Sequence, residues 1–274
     1  MTESFYKVVQ EAIADLSEHG YDTEGRLAYW TERLRQAADS LLAPAHKTEE
    51  YLRQALGAIY ARLVERGAIA HYHLGIDPFT IDRLRPKLRR ELDKRILASA
   101  NLIKLNRAES IERTIRRFQG WATSIPPGGQ GAGSKTETKQ EVKKALASLP
   151  FVERRVIIDQ GHKLTASINE VIATDGGALA LVWRSHWRQL NYNFRRDHKD
   201  RDGRCYALRD NWALKAGLMK VGPDGYYDEI TAVGQEPFCR CYATYLYALS
   251  KLPDDMITAK GREQLRGVGA KARA

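Results

Sequence analysis

Apolar side chains recur at helical spacing through the first 120 residues, and that recurrence restricts the region to helix packed on helix. Phe5, Val8, Val9, Ala12, Ile13 and Leu16 fall on one face of a helix that Thr2 can cap and Gly20 can end. Thr23 opens a second, with Leu27, Trp30, Leu34, Ala37 or Ala38 and Leu41 in one stripe. Ala43-Pro44 ends it, since proline cannot continue a helix. Thr48 opens a third carrying Leu52, Leu56, Ile59, Tyr60 and Leu63 to a stop at Gly67, with Glu49 and Glu50 suited to the positive end of its dipole. Stripes joined by short connections predict a bundle.

From Asp77-Pro78 onward the stripe continues but the other faces turn basic. Leu84, Leu88, Leu92, Ile96 and Ile103 keep the period, while Arg85, Arg89, Arg90, Lys94 and Arg95 crowd around it. The whole chain has 44 Lys and Arg against 34 Asp and Glu, a formal charge of +10. The excess is patchy: residues 1–80 are net acidic, whereas 81–117, the stretch Arg184–Arg204 and the C-terminal end are basic. A basic helix face reads either as a solvated, ion-paired surface or as a contact for phosphate, and both readings stand at this point. No apolar run approaches the length needed to cross a bilayer. The first residues carry charge at once and lack the pattern of a secretory signal. Three cysteines exclude a disulfide framework and fit an intracellular origin.

Residues 124–138 break the pattern. Ser124-Ile125-Pro126-Pro127-Gly128-Gly129-Gln130-Gly131-Ala132-Gly133-Ser134 can hold no regular element and reads as a linker. It is no phosphate loop, because Gly133-Ser134-Lys135 has the wrong order. The expected organisation is therefore a helical region over 1–123, a linker, a C-terminal domain over 139–257 and a fraying basic tail over 258–274. Lys139–Leu149 and Pro150–Thr174 read as helices. The second carries Val152, Val156, Ile157, Leu164, Ile168, Val171 and Ile172, has Gly161 as a weak spot and stops at Asp175-Gly176-Gly177. The period then shortens. Ala178–Trp183, Cys205–Leu208, Tyr226–Ile230 and Tyr242–Leu246 read as strands or extended segments, with turns at Asp202-Gly203 and Asp224-Gly225. The fold class predicted is α+β: a predominantly helical N-terminal bundle with a small mixed α/β C-terminal domain.

The residues able to carry chemistry lie between Arg184 and Cys241. Arg184-Ser185-His186 is followed by Arg195-Arg196-Asp197-His198 and Asp202-Gly203, then by Pro237-Phe238-Cys239-Arg240-Cys241. In an extended segment, residues i and i+2 share a face, so Cys239 and Cys241 can address one site. His198, with either Cys205 or His186, would complete a tetrahedral set of the kind zinc prefers. The alternative is a pair of small, buried, reduced cysteines with His198 hydrogen-bonded to the Asp-Gly turn. Asp197, His198, Asp200 and Asp202 also admit a metal-dependent hydrolase. No Gly-x-Ser-x-Gly, His-Glu-x-x-His, Walker or dinucleotide motif occurs. Arg184, Arg188, Arg195, Arg196, Lys199, Arg201 and Arg204 are interleaved with Trp183, Trp187, Tyr192 and Phe194, a mixture that suits phosphate contact and equally suits a small aromatic core with a basic rim.

This order of motifs resembles the C-terminal signature of the phage Mu F-like minor head proteins, the phage head morphogenesis family. The matching positions are His198, Asp202, Gly203, Cys239, Arg240 and Cys241, with Arg184 and His186 ahead of them, over roughly residues 178–245. Gln235-Glu236 stands where family members often carry a further polar pair. The resemblance implies a structural minor head protein of a tailed bacteriophage, not an enzyme. Such a protein would be bound to the portal inside the capsid, beside the major capsid protein and packaged double-stranded DNA. It would pass through the host cytoplasm during assembly, meet no membrane in the finished head, and serve head assembly and DNA packaging or ejection. Contact with DNA would be non-specific, through Arg85, Arg89, Arg90, Lys94, Arg95, Arg195, Arg196 and Arg201. Zinc on His198, Cys239, Cys241 and Cys205 is the cofactor expected. The competing expectation is a metal-dependent nuclease or toxin-like effector carried in the virion.

Overall fold

The computed structural model describes residues 5–21, 24–42, 44–125, 137, 140–142, 144 and 147–271. The fold is α+β, helical over most of its length with a three-stranded antiparallel sheet. It gathers into two compact units, Met1–Arg53 with Leu97–Ile157, and Gln54–Ile96 with Ile158–Ala274. Each unit thus takes two separate stretches of chain, where the sequence suggested consecutive regions. The expected linker falls almost wholly outside the described residues, as do the caps Thr2 and Thr23, Ala43 and residues 139, 143, 145 and 146 of the helix expected from Lys139.

The first unit contains α1 (Phe5–His19), α2 (Glu24–Leu41), the start of α3 (Ala45–Tyr60) and the later part of α4 (Pro78–Ala122). Every apolar position read in α1 is buried, and it packs with Trp30, Leu34, Ala37 and Ala38 of α2 and with Ile111, Ile115 and Phe118 of α4. Full burial of such side chains contributes about 1.5–3 kcal/mol each. Leu41, expected in the α2 stripe, is 45% exposed at the end of the helix. Gly20 ends α1 with φ +73°, its N–H on the Leu16 carbonyl at 2.9 Å. Asp15 draws α2 onto α1, accepting from Arg26 at 3.0 Å and from the Trp30 indole at 2.6 Å.

In the second unit, Leu84, Leu88, Leu92 and Ile96 of α4 meet Leu56, Tyr60 and Leu63 and the face Leu164, Ile168 and Ile172 of α5 (Leu149–Asp175). Gly161 is no weak spot here. A Cβ at that position would lie 2.7 Å from Ile59 Cδ1, so the glycine is a notch that admits the isoleucine. The sheet has the order β2-β1-β3, with β1 (Ala180–Arg184) between β2 (Cys205–Ala207) and β3 (Tyr242–Leu246). Register pairs Leu181 with Tyr206 and Tyr245, and Val182 with Cys205 and Thr244. Alternation then sorts the side chains: Leu181, Trp183, Tyr206 and Tyr245 enter one cluster, Ala180, Cys205 and Ala207 another.

Two expectations for this region are corrected. Tyr226–Ile230 forms a 3₁₀ turn over Tyr227–Glu229 instead of an extended segment, because Tyr227 turns inward and its hydroxyl accepts the Val233 N–H at 2.8 Å. The C-terminal stretch does not fray at its start: it forms a helix over Ala259–Lys271 (α8, after the short α6 and α7 at Arg196–Asp200 and Trp212–Lys215). Thr258 caps it, accepting the Gly261 N–H at 3.0 Å and donating to the Gly217 carbonyl at 2.8 Å. Gly261 lets the helix seat on backbone, since a Cβ there would meet the Leu218 carbonyl oxygen at 2.1 Å.

Candidate metal centre

Cys239 and Cys241 lie in the extended stretch that enters β3, on the same side as Ala243 and Tyr245. A left-handed backbone at Phe238, φ +60°, starts the stretch, and the Phe238 N–H is held by the buried carboxylate of Asp159 at 2.5 Å. Tyr192 braces it from the loop after β1, its hydroxyl donating to the Phe238 carbonyl at 3.4 Å and accepting the Arg240 N–H at 3.2 Å. His198 comes from the middle of α6. It is 2% exposed and lies edge-on to Trp183 with ring centroids 5.3 Å apart.

The three donors converge. His198 Nδ1 is 3.6 Å from Cys239 Sγ and 3.5 Å from Cys241 Sγ, and all three ligand atoms lie within 4.8 Å of one another. Bonds of about 2.3 Å to sulfur and about 2.0–2.1 Å to nitrogen, at tetrahedral angles, put donors roughly 3.5–3.8 Å apart. The observed nitrogen–sulfur separations match that figure. One ring nitrogen has a single proton or a single lone pair and cannot serve two thiols equally, whereas a cation among the three satisfies them all. The buried group of His198, Cys239 and Cys241 can therefore hold a metal ion.

The two thiols are paired with each other. Cys239 is held well below the ordinary thiol range, first by the Cys241 thiol donating to it and then by backbone N–H groups and His198, against the opposing effect of burial. Cys241 is pushed the other way by the same pairing. His198 Nε2 is buried without a hydrogen-bond partner, with carboxylate oxygens of Asp197 and Glu236 each 3.8 Å away. A metal on Nδ1 would fix the proton on Nε2, facing that negative charge.

The Asp-Gly pair builds the wall of the centre. The two Asp202 oxygens accept the Ser185 N–H and the Trp187 indole N–H, both at 2.9 Å, which holds its carboxyl below the usual range. Gly203 has φ +84° and returns its N–H to the Trp183 carbonyl at 2.9 Å. The loop leaving β1 is thereby closed against the helix that carries His198.

Cys205 is not brought to the centre. It sits on the opposite face of the sheet beside Ala180 and Ala207, its backbone N–H on Asp224 at 2.9 Å, and burial pushes its thiol up to about 11. His186 also stays outside the donor group, against the Tyr242 ring at 5.5 Å. Arg184 ends β1, exposed, and Arg240 lies over the Tyr192 ring at 5.4 Å. Ser185 and Glu236, flanking motif residues in the sequence, and Asp159, which carries no sequence signal, belong to the surroundings of the centre. Ser185 Oγ is 3.8 Å from Cys241 Sγ.

The residues read as facing nucleic acid separate into two kinds. Arg85, Arg89, Arg90 and Lys94 are exposed on α4, where Arg85 pairs with Asp82, Arg89 with Asp93 and Lys94 with Glu91. Arg95 instead turns toward α5, bonding Gln160 and Ser167, and burial lowers its guanidinium pKa. Arg195 is tied to Glu236 and the Pro237 carbonyl. Arg201 pairs with Asp197 at 3.1 Å and lies 5.2 Å over Trp183, while Arg196 is exposed. Arg95, Arg195 and Arg201 thus hold the fold together.

Among protein-family models, curated proteins and solved structures, none matches this chain.

Proposed function

We propose that the chain is a structural minor head protein of a tailed bacteriophage, bound to the portal inside the capsid and acting in head assembly and DNA packaging or ejection. Its C-terminal domain would be stapled by zinc on His198, Cys239 and Cys241. The observation that carries this reading is that five residues of the Mu F-like resemblance, His198, Cys239, Cys241, Asp202 and Gly203, serve one place. Three converge as donors, and Asp202 and Gly203 close the loop beside them. At 2%, 1% and 6% exposure, the donors suit an ion that holds elements together rather than one that meets a substrate. The exposed cations Arg85, Arg89, Arg90, Lys94 and Arg196 supply sequence-independent contact with packaged duplex.

A second reading has one observation in its favour. Three protein donors leave the fourth position of a tetrahedral ion for water, as in a metal-dependent nuclease or effector. Metal analysis, melting with and without a chelator, and recovery of partners from a phage-producing lysate test the proposal together. The structural reading expects about one zinc per chain, a lowered melting temperature on chelation, and recovery of portal protein. A metal-free protein of equal stability would overturn the zinc staple. DNA hydrolysis that disappears in a folded His198→Ala variant would establish the nuclease instead.

A further inference from the structure

A second site lies beside the metal centre, within the same unit. A cavity of about 460 Å³ opens where four elements meet: His162 and Thr165 from α5, His186 from the loop after β1, Arg240 and Tyr242 from the stretch entering β3, and Tyr72 from the 3₁₀ turn Ala68–Tyr72. No carboxylate lines it among the described residues, and none forms an ion pair with Arg240, His162 or His186 there. Asp159 on α5 is bonded to Lys163 and to the Phe238 N–H. Burial, then the charge of Arg240, lowers the pKa of His162, with Asp159 opposing and His186 adding a smaller lowering.

These features specify the ligand chemistry. A guanidinium and two imidazoles in the lining, with no carboxylate among the lining residues, can supply donors for a single anion, and a guanidinium matches the oxygens of phosphate. Tyrosine walls offer flat faces on which a base can stack. The volume falls within the rough 300–1,000 Å³ range of small-molecule sites and is too small for a duplex. We propose that this cavity binds a terminal nucleoside monophosphate, free or at the end of a single strand. Arg240, His162 and His186 would take the phosphate, and Tyr72 and Tyr242 the sugar and base. The cavity abuts the metal centre, since Cys241 also lines it, but neither histidine belongs to the donor group.

Calorimetric titration of the full chain with dAMP tests it, alongside deoxyadenosine, inorganic phosphate, and a hexanucleotide with or without a 5′-phosphate. The expected result is one saturable site for dAMP, at least tenfold weaker binding of deoxyadenosine, and competition by inorganic phosphate. His162→Gln should weaken dAMP at least tenfold with metal content and melting temperature unchanged. Competition by the 5′-phosphorylated strand but not its 5′-hydroxyl form assigns the ligand to a strand end; dAMP binding without such competition assigns it to a free nucleotide. Absence of saturable dAMP binding, equal binding of deoxyadenosine, or wild-type affinity in His162→Gln would overturn the proposal.

Discussion

Replacing Asp202 tests the closure of the signature loop more sharply than replacing a metal donor, because Asp202 touches no ion. Its carboxylate accepts two hydrogen bonds of 2.9 Å, from the Ser185 N–H and the Trp187 indole. Hydrogen bonds to an ionised group contribute about 1.5–3 kcal/mol each, and partial exposure allows water to replace some of that. Asp202→Ala should therefore destabilise the loop by about 3 kcal/mol, which lowers protection of the Ser185 amide in hydrogen exchange by roughly a hundredfold. Asp202→Asn keeps one acceptor but turns its NH₂ toward the Trp187 N–H, so about half of the loss should remain. The acid dependence has a definite sign. The Asp202 pKa is lowered in the folded chain, so its stabilisation is present in full above the unfolded aspartate value of about 3.9 and is lost as pH falls through the folded value. The gap between wild type and Asp202→Asn should hold steady from about pH 7 to 5 and close below about pH 4. Urea titration combined with amide exchange measures both. An Asp202→Ala variant with an unchanged midpoint and unchanged Ser185 protection would refute the reasoning.

Cys205→Ala should leave metal content at the wild-type level, while Cys239→Ala and Cys241→Ala each remove it; loss of metal in Cys205→Ala would contradict the register of β1 and β2. Gly261→Ala should cost about 1–3 kcal/mol and release α8 to protease, because the added methyl meets the Leu218 carbonyl; wild-type resistance would show that the helix is not seated there.

What the sequence made legible was local. The stripe of α1 and the row Leu84, Leu88, Leu92 and Ile96 could be read because a helix repeats its buried face every few residues, so pattern and burial coincide. The alternation that puts Cys239 and Cys241 on one side is equally local. The exclusion of Cys205 is not, because its face depends on which residue of β1 it pairs with, and that pairing joins distant parts of the chain. Gly161 looked weak because its value lies in Ile59, about a hundred residues away in sequence. Arg95 counted toward a basic face until Gln160 and Ser167 of α5 turned it inward. The C-terminal helix was hidden by its glycines, of which Gly261 serves the close contact with Leu218, although Thr258 was a usable cap signal.

The central strand β1 sends Leu181 and Trp183 to the side of the metal donors and Ala180 and Val182 to the side of Cys205. The sheet is thus a partition between two compartments, one holding the paired thiols Cys239 and Cys241 beside His198 and the other a lone thiol kept protonated by burial. The chain can tolerate a third cysteine without scrambling its donor set because backbone hydrogen bonds, not distance along the sequence, insulate that sulfur from the centre.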